Sequence, residues 1–255
     1  MNGFQLENML VSELDQNIFS KLNPNLKNLI SKTFIGNKFQ NHKIYSKKYP
    51  AGSKPDIYIE INGIKKNISL KKGTGNSFHQ EPIESFIEHL HELVKLPTQI
   101  ENDLRLFIWG DGSLDGSGHP RHNKRYSASS FVSEFPETIK SLRDYFSPGT
   151  TLEKLIRRFT INGAVSDEKV DYIVYAKKNY IENCTVISSE KFINLANTNS
   201  YKNRKQNFRQ ALPMGIALSM QAWNRNITCK PDKEKRRGHI QLKITKIGDE
   251  IINDG

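Results

Sequence analysis

Cysteine is scarce. Only Cys184 and Cys229 occur in 255 residues, neither in a CxxC pair nor beside closely spaced histidines, so neither a disulfide framework nor a structural zinc site is indicated. No window approaches the roughly 18 unbroken apolar residues of a membrane helix. The first residues, Met1-Asn2-Gly3-Phe4-Gln5-Leu6-Glu7, lack a basic segment followed by an apolar one, so a secretion signal is not expected either. The expected compartment is a reducing cytoplasm. Internal repeats and low-complexity tracts are absent as well. Acidic charge is in short supply: 38 Lys and Arg face 27 Asp and Glu, a net charge of +11. The excess is uneven, because residues 200–255 hold twelve basic and five acidic residues. A C-terminal quarter of that kind points to a polyanionic partner. Hydrophobic residues make up 36% and aromatics 9%, enough for a folded core in one large domain or one with appendages.

Apolar residues at Phe4, Leu6, Met9, Leu10, Leu14, Ile18, Phe19 and Leu22 recur mostly at three- and four-residue steps and predict an amphipathic helix from Phe4 to Leu22. Asn23-Pro24-Asn25 ends it, and a second helix is expected over Leu26 to Phe34. The stretch from Gly36 to Pro50 is basic and turn-rich, a solvated loop or a phosphate-contacting one. Residues 55 to 72 alternate around Asn62-Gly63, the dipeptide that most strongly signals a two-residue hairpin turn. That turn pairs Ile61 with Ile64 and, stepping outward, collects Ile57, Ile59, Ile61, Ile64, Ile68 and Leu70 on one face, interrupted by Lys66. The other face carries Asp56, Tyr58, Glu60, Lys65, Asn67, Ser69 and Lys71.

Downstream, a helix is expected to start at Ser77 or at Glu81 and to run to about Val94. The first start has a capping box with Gln80, and the second puts Pro82 at the tolerated first position. The apolar run Leu104 to Trp109 predicts a buried strand, followed by a glycine-rich stretch from Gly110 to Gly118. Further strands are expected at Tyr172 to Ala176 and Ile240 to Ile244, with helices near Thr138 to Tyr145 and Thr151 to Phe159.

The hairpin register sets Asp56 directly across from Ser69, with Lys71 two residues further on the same face. An acid and a lysine thus converge beside a polar position. Phosphodiester hydrolysis needs a carboxylate to hold Mg²⁺ at the scissile phosphate and a cation to orient or help deprotonate the attacking water. Glu81, Glu84 and Glu88 on the polar side of the helix expected after the hairpin offer a further oxygen ligand, so the spacing supports a metal-dependent nuclease. Pro55-Asp56, twelve intervening residues, then Ser69-Leu70-Lys71 on a second strand resembles the PD-(D/E)XK nuclease superfamily, which includes many type II restriction endonucleases. The resemblance covers Lys54 to Phe86. It departs from the family at Ser69, which stands where the family usually has Asp or Glu. Some members draw the missing acid from the following helix, a role for which Glu81 is the candidate here.

What the resemblance implies is an α/β domain with a restriction-endonuclease-like core, a central mixed β-sheet flanked by helices. The core would span roughly residues 28–176 of a single nuclease domain, with a basic DNA-binding part over about 177–255. The implied activity is Mg²⁺-dependent endonucleolytic cleavage of double-stranded DNA, as a sequence-specific type II restriction enzyme. Asp56 and Glu81 would hold the metal, Ser69 or its neighbouring carbonyl would help position it, and Lys71 would act on the water. Glu7 or Glu13 of the first helix is a candidate further ligand. A palindromic target would favour a homodimer. A nonspecific repair or phage-defence nuclease and a non-catalytic nucleic-acid-binding protein stay open beside it.

Other motifs compete. Pro231-Asp232 followed by Gln241-Leu242-Lys243 repeats the pattern, with its aspartate in a basic stretch that lacks strand character. The stretch from Gly110 to Gly118 places oxygen side chains at alternate positions, as calcium loops do, but has His122 where the twelfth-position glutamate belongs. His122-Asn123 resembles an HNH nuclease motif without its second histidine. His119, Arg121, His122, Lys124 and Arg125 suit a loop entering a DNA groove or an ordinary surface loop. Tyr201 to Arg209, with Lys202, Arg204, Lys205 and Arg209, and Gln221 to Asn226, with Arg225, mix basic, amide and aromatic residues as DNA-contacting segments do. They are equally compatible with a solvated basic face and, for Trp223, a core aromatic. Arg236 and Arg237 complete the candidate phosphate contacts.

Overall fold

Strand β1 (Ile44–Lys48) runs antiparallel to β2 (Ile57–Ile61), and β2 turns through Asn62-Gly63 into β3 (Ile64–Lys72). Both turn residues have positive φ, 52° and 75°, the mirrored turn whose twist matches the strands. The register is the expected one, Ile57 opposite Ile68 and Ile61 opposite Ile64. The structure, a computed structural model, describes residues 3–36, 39–75, 77–118, 126, 128–147, 149–162, 167–176, 181, 184–197, 216–220, 238–244 and 247–253.

The remaining strands are β4 (Ser77–Pro82), β5 (Tyr172–Ala176), β6 (Thr185–Ser188), β7 (Ile216–Met220) and β8 (His239–Ile244). Among the described residues they form a mixed five-stranded sheet in the order β1-β2-β3-β5-β6 and a three-stranded sheet in the order β4-β8-β7. The parallel step of the larger sheet joins β3 to β5, with Ser69 beside Ile173 and Lys71 beside Tyr175. Helices α1 (Gly3–Leu14), α2 (Pro24–Thr33), α3 (Ile83–Leu93), α4 (Thr98–Trp109), α5 (Ala128–Glu134), α6 (Pro136–Tyr145), α7 (Thr150–Arg157), α8 (Ser189–Asn197) and α9 (Ile247–Asn253) complete the chain. This is the expected α/β class with a central mixed sheet flanked by helices.

The chain divides into two compact units. The first comprises Met1–Asn76, Thr160–Ala196 and Lys246–Gly255 and contains the five-stranded sheet. Here α1 packs on β1, β2 and β3, while α2 and α9 pack on β6. Its core joins Leu10 and Leu14 of α1, Leu29 and Ile30 of α2, and Ile57, Ile59, Ile61 and Ile68 of the hairpin. The apolar hairpin face expected from the sequence is thus its buried face, apart from Ile64, which is exposed beside the turn, and Leu70, which is partly buried.

The second unit comprises Ser77–Phe159 and Asn197–Thr245. Within it α3 packs on β4 and β8, α4 packs on β7, and α4 packs on α6. Phe86 and Phe159 meet at 5.2 Å, and Phe107 and Phe131 at 5.5 Å.

Several expectations are corrected. The first helix stops at Leu14 rather than Leu22, because Gln16 adopts φ 61° and turns the chain into a short 3₁₀ segment at Phe19–Lys21. Asn23 caps the next helix, its side chain accepting from Leu26 N–H at 3.0 Å. Ser77 to Pro82 is the strand β4, so the downstream helix begins after Pro82. Leu104 to Trp109 is the end of helix α4, not a strand: Ile100, Leu104, Phe107 and Ile108 recur at helical spacing and are buried together.

Trp109 lies against Gly238, whose φ is 73° and where an added Cβ would come within 2.5 Å of the indole ring. Gly238→Ala is therefore expected to cost about 2–4 kcal/mol, from left-handed backbone strain and overpacking together. A urea unfolding midpoint unchanged from the natural protein would show that the contact is relieved cheaply.

Candidate active site

The hairpin builds a site at its open end. Asp56, one residue before β2, is held in the sheet by its own backbone: its N–H donates to Ile68 O at 2.9 Å, and its carbonyl accepts from Tyr49 N–H at 3.0 Å. Its side chain crosses to β3, where Oδ2 accepts from Ser69 Oγ at 3.1 Å and from the Leu70 N–H. Ser69 is only 2% exposed, so this orientation is fixed in a dry setting. Lys71, on the same strand face, is half-buried. Burial pushes its ammonium below the ordinary lysine range, and the negative charge of Asp56 opposes that shift. The parallel partner β5 extends the assembly, and Gly73 N–H donates to Ala176 O at 2.7 Å just beyond Lys71. Asp56, Ser69 and Lys71 are therefore brought together as the spacing predicts.

A second layer on this face was not legible as a unit. Asn67 accepts from Tyr49 OH at 2.7 Å and donates to Glu168 Oε2 at 2.8 Å and Lys169 O at 3.0 Å. Its backbone N–H reaches Asp171 Oδ2 at 2.7 Å. Lys65 pairs with Glu168 at 2.7 Å, and its ammonium lies 5.0 Å from the Tyr58 ring centre. Hydrogen bonds from Lys65 and Asn67 hold the Glu168 carboxyl below its usual range. Burial raises the Tyr49 hydroxyl, with Lys65 opposing. The network ties the segment before β5 to the hairpin. Tyr58, Lys65 and Asn67, set on the polar hairpin face by the register, were its sequence signals.

Glu81 belongs to the other unit and sits in β4, not in a helix. Its Oε2 accepts from Arg158 Nη2 at 2.7 Å, and both side chains are 4% exposed. The same Nη2 lies 2.9 Å from His89 Nδ1, a contact that makes Nδ1 the acceptor and puts the proton of a neutral imidazole on Nε2. Burial pushes Glu81 up, while the Arg158 charge opposes. Among the described residues, Glu81 Oε1 and Arg158 Nε and Nη1 lack hydrogen-bond partners. Glu84 is taken up by Arg105, which also pairs with Glu101, and Glu88 is exposed. Glu7 pairs with Lys48 at 2.7 Å.

In the glycine-rich stretch, Asp111 Oδ1 accepts from Ser113 and Asp115 Oδ1 from Ser117, so these oxygens are engaged within the loop. No group of three or more His, Cys, Asp or Glu side chains suited to a metal occurs among the described residues. In the rival motif, Gln241 and Lys243 lie on β8 of the three-stranded sheet, and Asp232 lies outside the described residues. So do His119, His122 and all the candidate phosphate contacts, namely Arg121, Lys124, Arg125, Lys202, Arg204, Lys205, Arg209, Arg225, Arg236 and Arg237. No described helix is long and apolar enough to cross a membrane.

No family model and no curated protein matches the sequence. Among solved structures, the restriction endonuclease MspI in complex with its cognate DNA is similar to this chain, with a TM-score of 0.46 and 10% identity. The match covers 86% of this chain and 77% of that one.

Proposed function

We propose that the chain is a Mg²⁺-dependent endonuclease that hydrolyses phosphodiester bonds of double-stranded DNA at a defined sequence, with a restriction-type task. The observation that carries this reading is the convergence of the Asp56 carboxylate and the Lys71 amine on one strand face, with Ser69 Oγ and the Leu70 N–H fixing the carboxylate. Mg²⁺ takes oxygen ligands, keeps several waters and needs only one or two carboxylates. Ser69 Oγ and the Leu70 N–H both donate to Asp56 Oδ2, which makes Oδ1 the fitting ligand atom. Bound there, the metal would supply charge stabilisation at the scissile phosphate. Lys71 would orient the attacking water or take its proton, and burial favours the neutral amine that proton abstraction requires. With Glu81 engaged by Arg158, the proposal is built on Asp56, Ser69 and Lys71. The net charge of +11 would draw in the polyanionic duplex, and a palindromic target would call for a two-fold dimer.

The test is incubation of supercoiled plasmid and a long phage DNA with the purified protein, in Mg²⁺ or in EDTA. Discrete Mg²⁺-dependent fragments are the expected result. A smear would replace the site-specific task with that of a repair or defence nuclease lacking a recognition sequence. Intact DNA at several salt concentrations, with Mn²⁺ substituted as well, would overturn catalysis on these substrates. A non-catalytic DNA-binding protein is the second reading, favoured by the serine at position 69 and by the engagement of Glu81 with Arg158.

A further inference from the structure

In the three-stranded sheet of the second unit, the paired strands β4 and β8 have two unlike faces. On β8, Ile240, Leu242 and Ile244 are fully buried, while His239, Gln241 and Lys243 alternate with them and stay partly exposed. Strand pairing extends the polar face across β4: Gln80 is the register partner of Gln241, and Ser77 that of Lys243. Two glutamine amides therefore stand side by side on an antiparallel pair, flanked along β8 by an imidazole and an ammonium. Gln241 is pinned, because its Nε2 donates to Phe78 O at 3.3 Å across the irregular register between Ser77 and Gln80. That bond leaves its carbonyl oxygen as an acceptor.

Nothing in the proposed cleavage chemistry uses this face, yet in the sequence β8 directly follows a strongly basic stretch and β7 lies between that stretch and another. Residues 201–209, before β7, hold four Lys and Arg and no acid, while residues 221–237, between β7 and β8, hold six and only two acids. We propose that the polar face of the paired strands β4 and β8 reads base edges in the major groove of double-stranded DNA, with Gln80 and Gln241 as specificity-determining residues. The inference rests on the reading of duplex DNA as the partner.

The chemistry fits that occupant. Glutamine matches the adjacent acceptor and donor of adenine N7 and N6, lysine matches the guanine acceptors, and paired strands are an established way of entering the major groove. The spacing fits as well. Register partners lie about 5 Å apart, and alternate residues of β8 about 6.8 Å apart, against about 3.4 Å per base step. With β8 along the groove, Gln241 falls about two base steps from His239 and from Lys243, and Gln80, beside it across the groove, addresses a different base edge. The net charge of +11 supplies phosphate attraction that carries no sequence information, and the amides supply the sequence.

The test uses the full-length protein in EDTA, where cleavage is prevented. A random duplex library is selected on the natural protein and on Gln80→Ala, Gln80→Glu and Gln241→Glu. Affinities are then measured for the selected duplex, for its single-base variants and for a scrambled duplex. Expected for Gln80→Ala is loss of about tenfold or more in discrimination at one A·T pair, with affinity for the scrambled duplex within about twofold of the natural protein. Expected for each glutamate variant is a switch toward cytosine at the position its own side chain reads, since cytosine N4 donates to a carboxylate, a gain that misfolding could not imitate. Unchanged discrimination, an equal loss on every duplex, or no selected sequence for the natural protein would each overturn the inference. Plasmid cleavage in Mg²⁺ is scored separately. Selective binding without cleavage would retain the inference and sink the nuclease reading, and unselective cleavage would do the reverse.

Discussion

Lys71→Ala is expected to lower Mg²⁺-dependent plasmid cleavage by about a hundredfold or more, the range lost when a positioned proton-transfer group is removed. The site gives this variant a second signature. Because burial holds the Lys71 ammonium below its ordinary value, the folded state binds fewer protons than the unfolded chain between the depressed value and the ordinary one near 10.5. Stability linked to Lys71 therefore rises with pH across that window and is diminished below it. Lys71→Met, which keeps the apolar length without the charge, is expected to leave the protein as stable as before or more stable near neutral pH while removing cleavage. A lysine serving only as a surface ion-pair partner would give the opposite pattern, lost stability and retained activity. In the natural protein, the cleavage rate should climb with pH and level off at a value below the ordinary lysine range. Asp56→Asn should match Lys71→Ala in activity, since the amide oxygen can still accept from the Leu70 N–H but carries no charge for a metal. Cleavage within about threefold of the natural rate in either Lys71→Ala or Asp56→Asn would end the assignment of the site.

Arg158→Met is expected to be the most destabilising single change, by about 3–5 kcal/mol, because it strands the Glu81 carboxylate in a dry interior. Replacing both partners, as Arg158→Met with Glu81→Leu, should recover most of that loss, since removing two buried charges together is close to neutral. The deficit of the single variant has a predictable pH dependence. Without Arg158 the larger of the two influences that oppose the upward push of burial on Glu81 is gone and only the smaller one, from His89, is left, so the folded state takes up a proton that the unfolded chain has released. The deficit relative to the natural protein should be small below the ordinary carboxylate range and grow as pH rises through it toward the raised value. Urea unfolding at a series of pH values measures this, and a deficit independent of pH would show that Glu81 is not the stranded group.

The hairpin was legible because its information is local: Asn62-Gly63 sets the turn, the turn sets the register, and the register sets Asp56 beside Ser69. Strands β5 and β8 were legible from compact alternating or apolar runs. What was hidden depends on distant partners. Ser77 to Pro82 carries the polar residues and proline of a helix start, and only pairing with β8, some 160 residues later, makes it a strand. β1 has one strongly apolar residue, Ile44, and buries Ser46 by donating to Tyr58 O at 2.9 Å, a bond its own sequence cannot announce. Leu104 to Trp109 misled because six apolar-rich residues fit either period, and the deciding residue, Ile100, lies a full turn earlier. The Asp56, Ser69 and Lys71 cluster was readable for the same reason as the turn. The Glu81 pairing was not, since Arg158 lies 77 residues away in sequence.

The parallel pairing of β3 with β5 joins residues 64–72 to residues 172–176, and this interval has a consequence during synthesis. The hairpin can close soon after it leaves the ribosome, for its contacts are short-range, whereas its neighbour on the Lys71 side arrives about a hundred residues later, some five to twenty seconds at usual translation rates. Throughout that wait β3 is an open edge able to recruit a stray strand, and the dry surroundings that lower the Lys71 charge cannot be complete. An emerging chain would thus be exposed to aggregation at the very hairpin that later carries its chemistry. It would also stay inert toward any polyanion it met until β5 had docked.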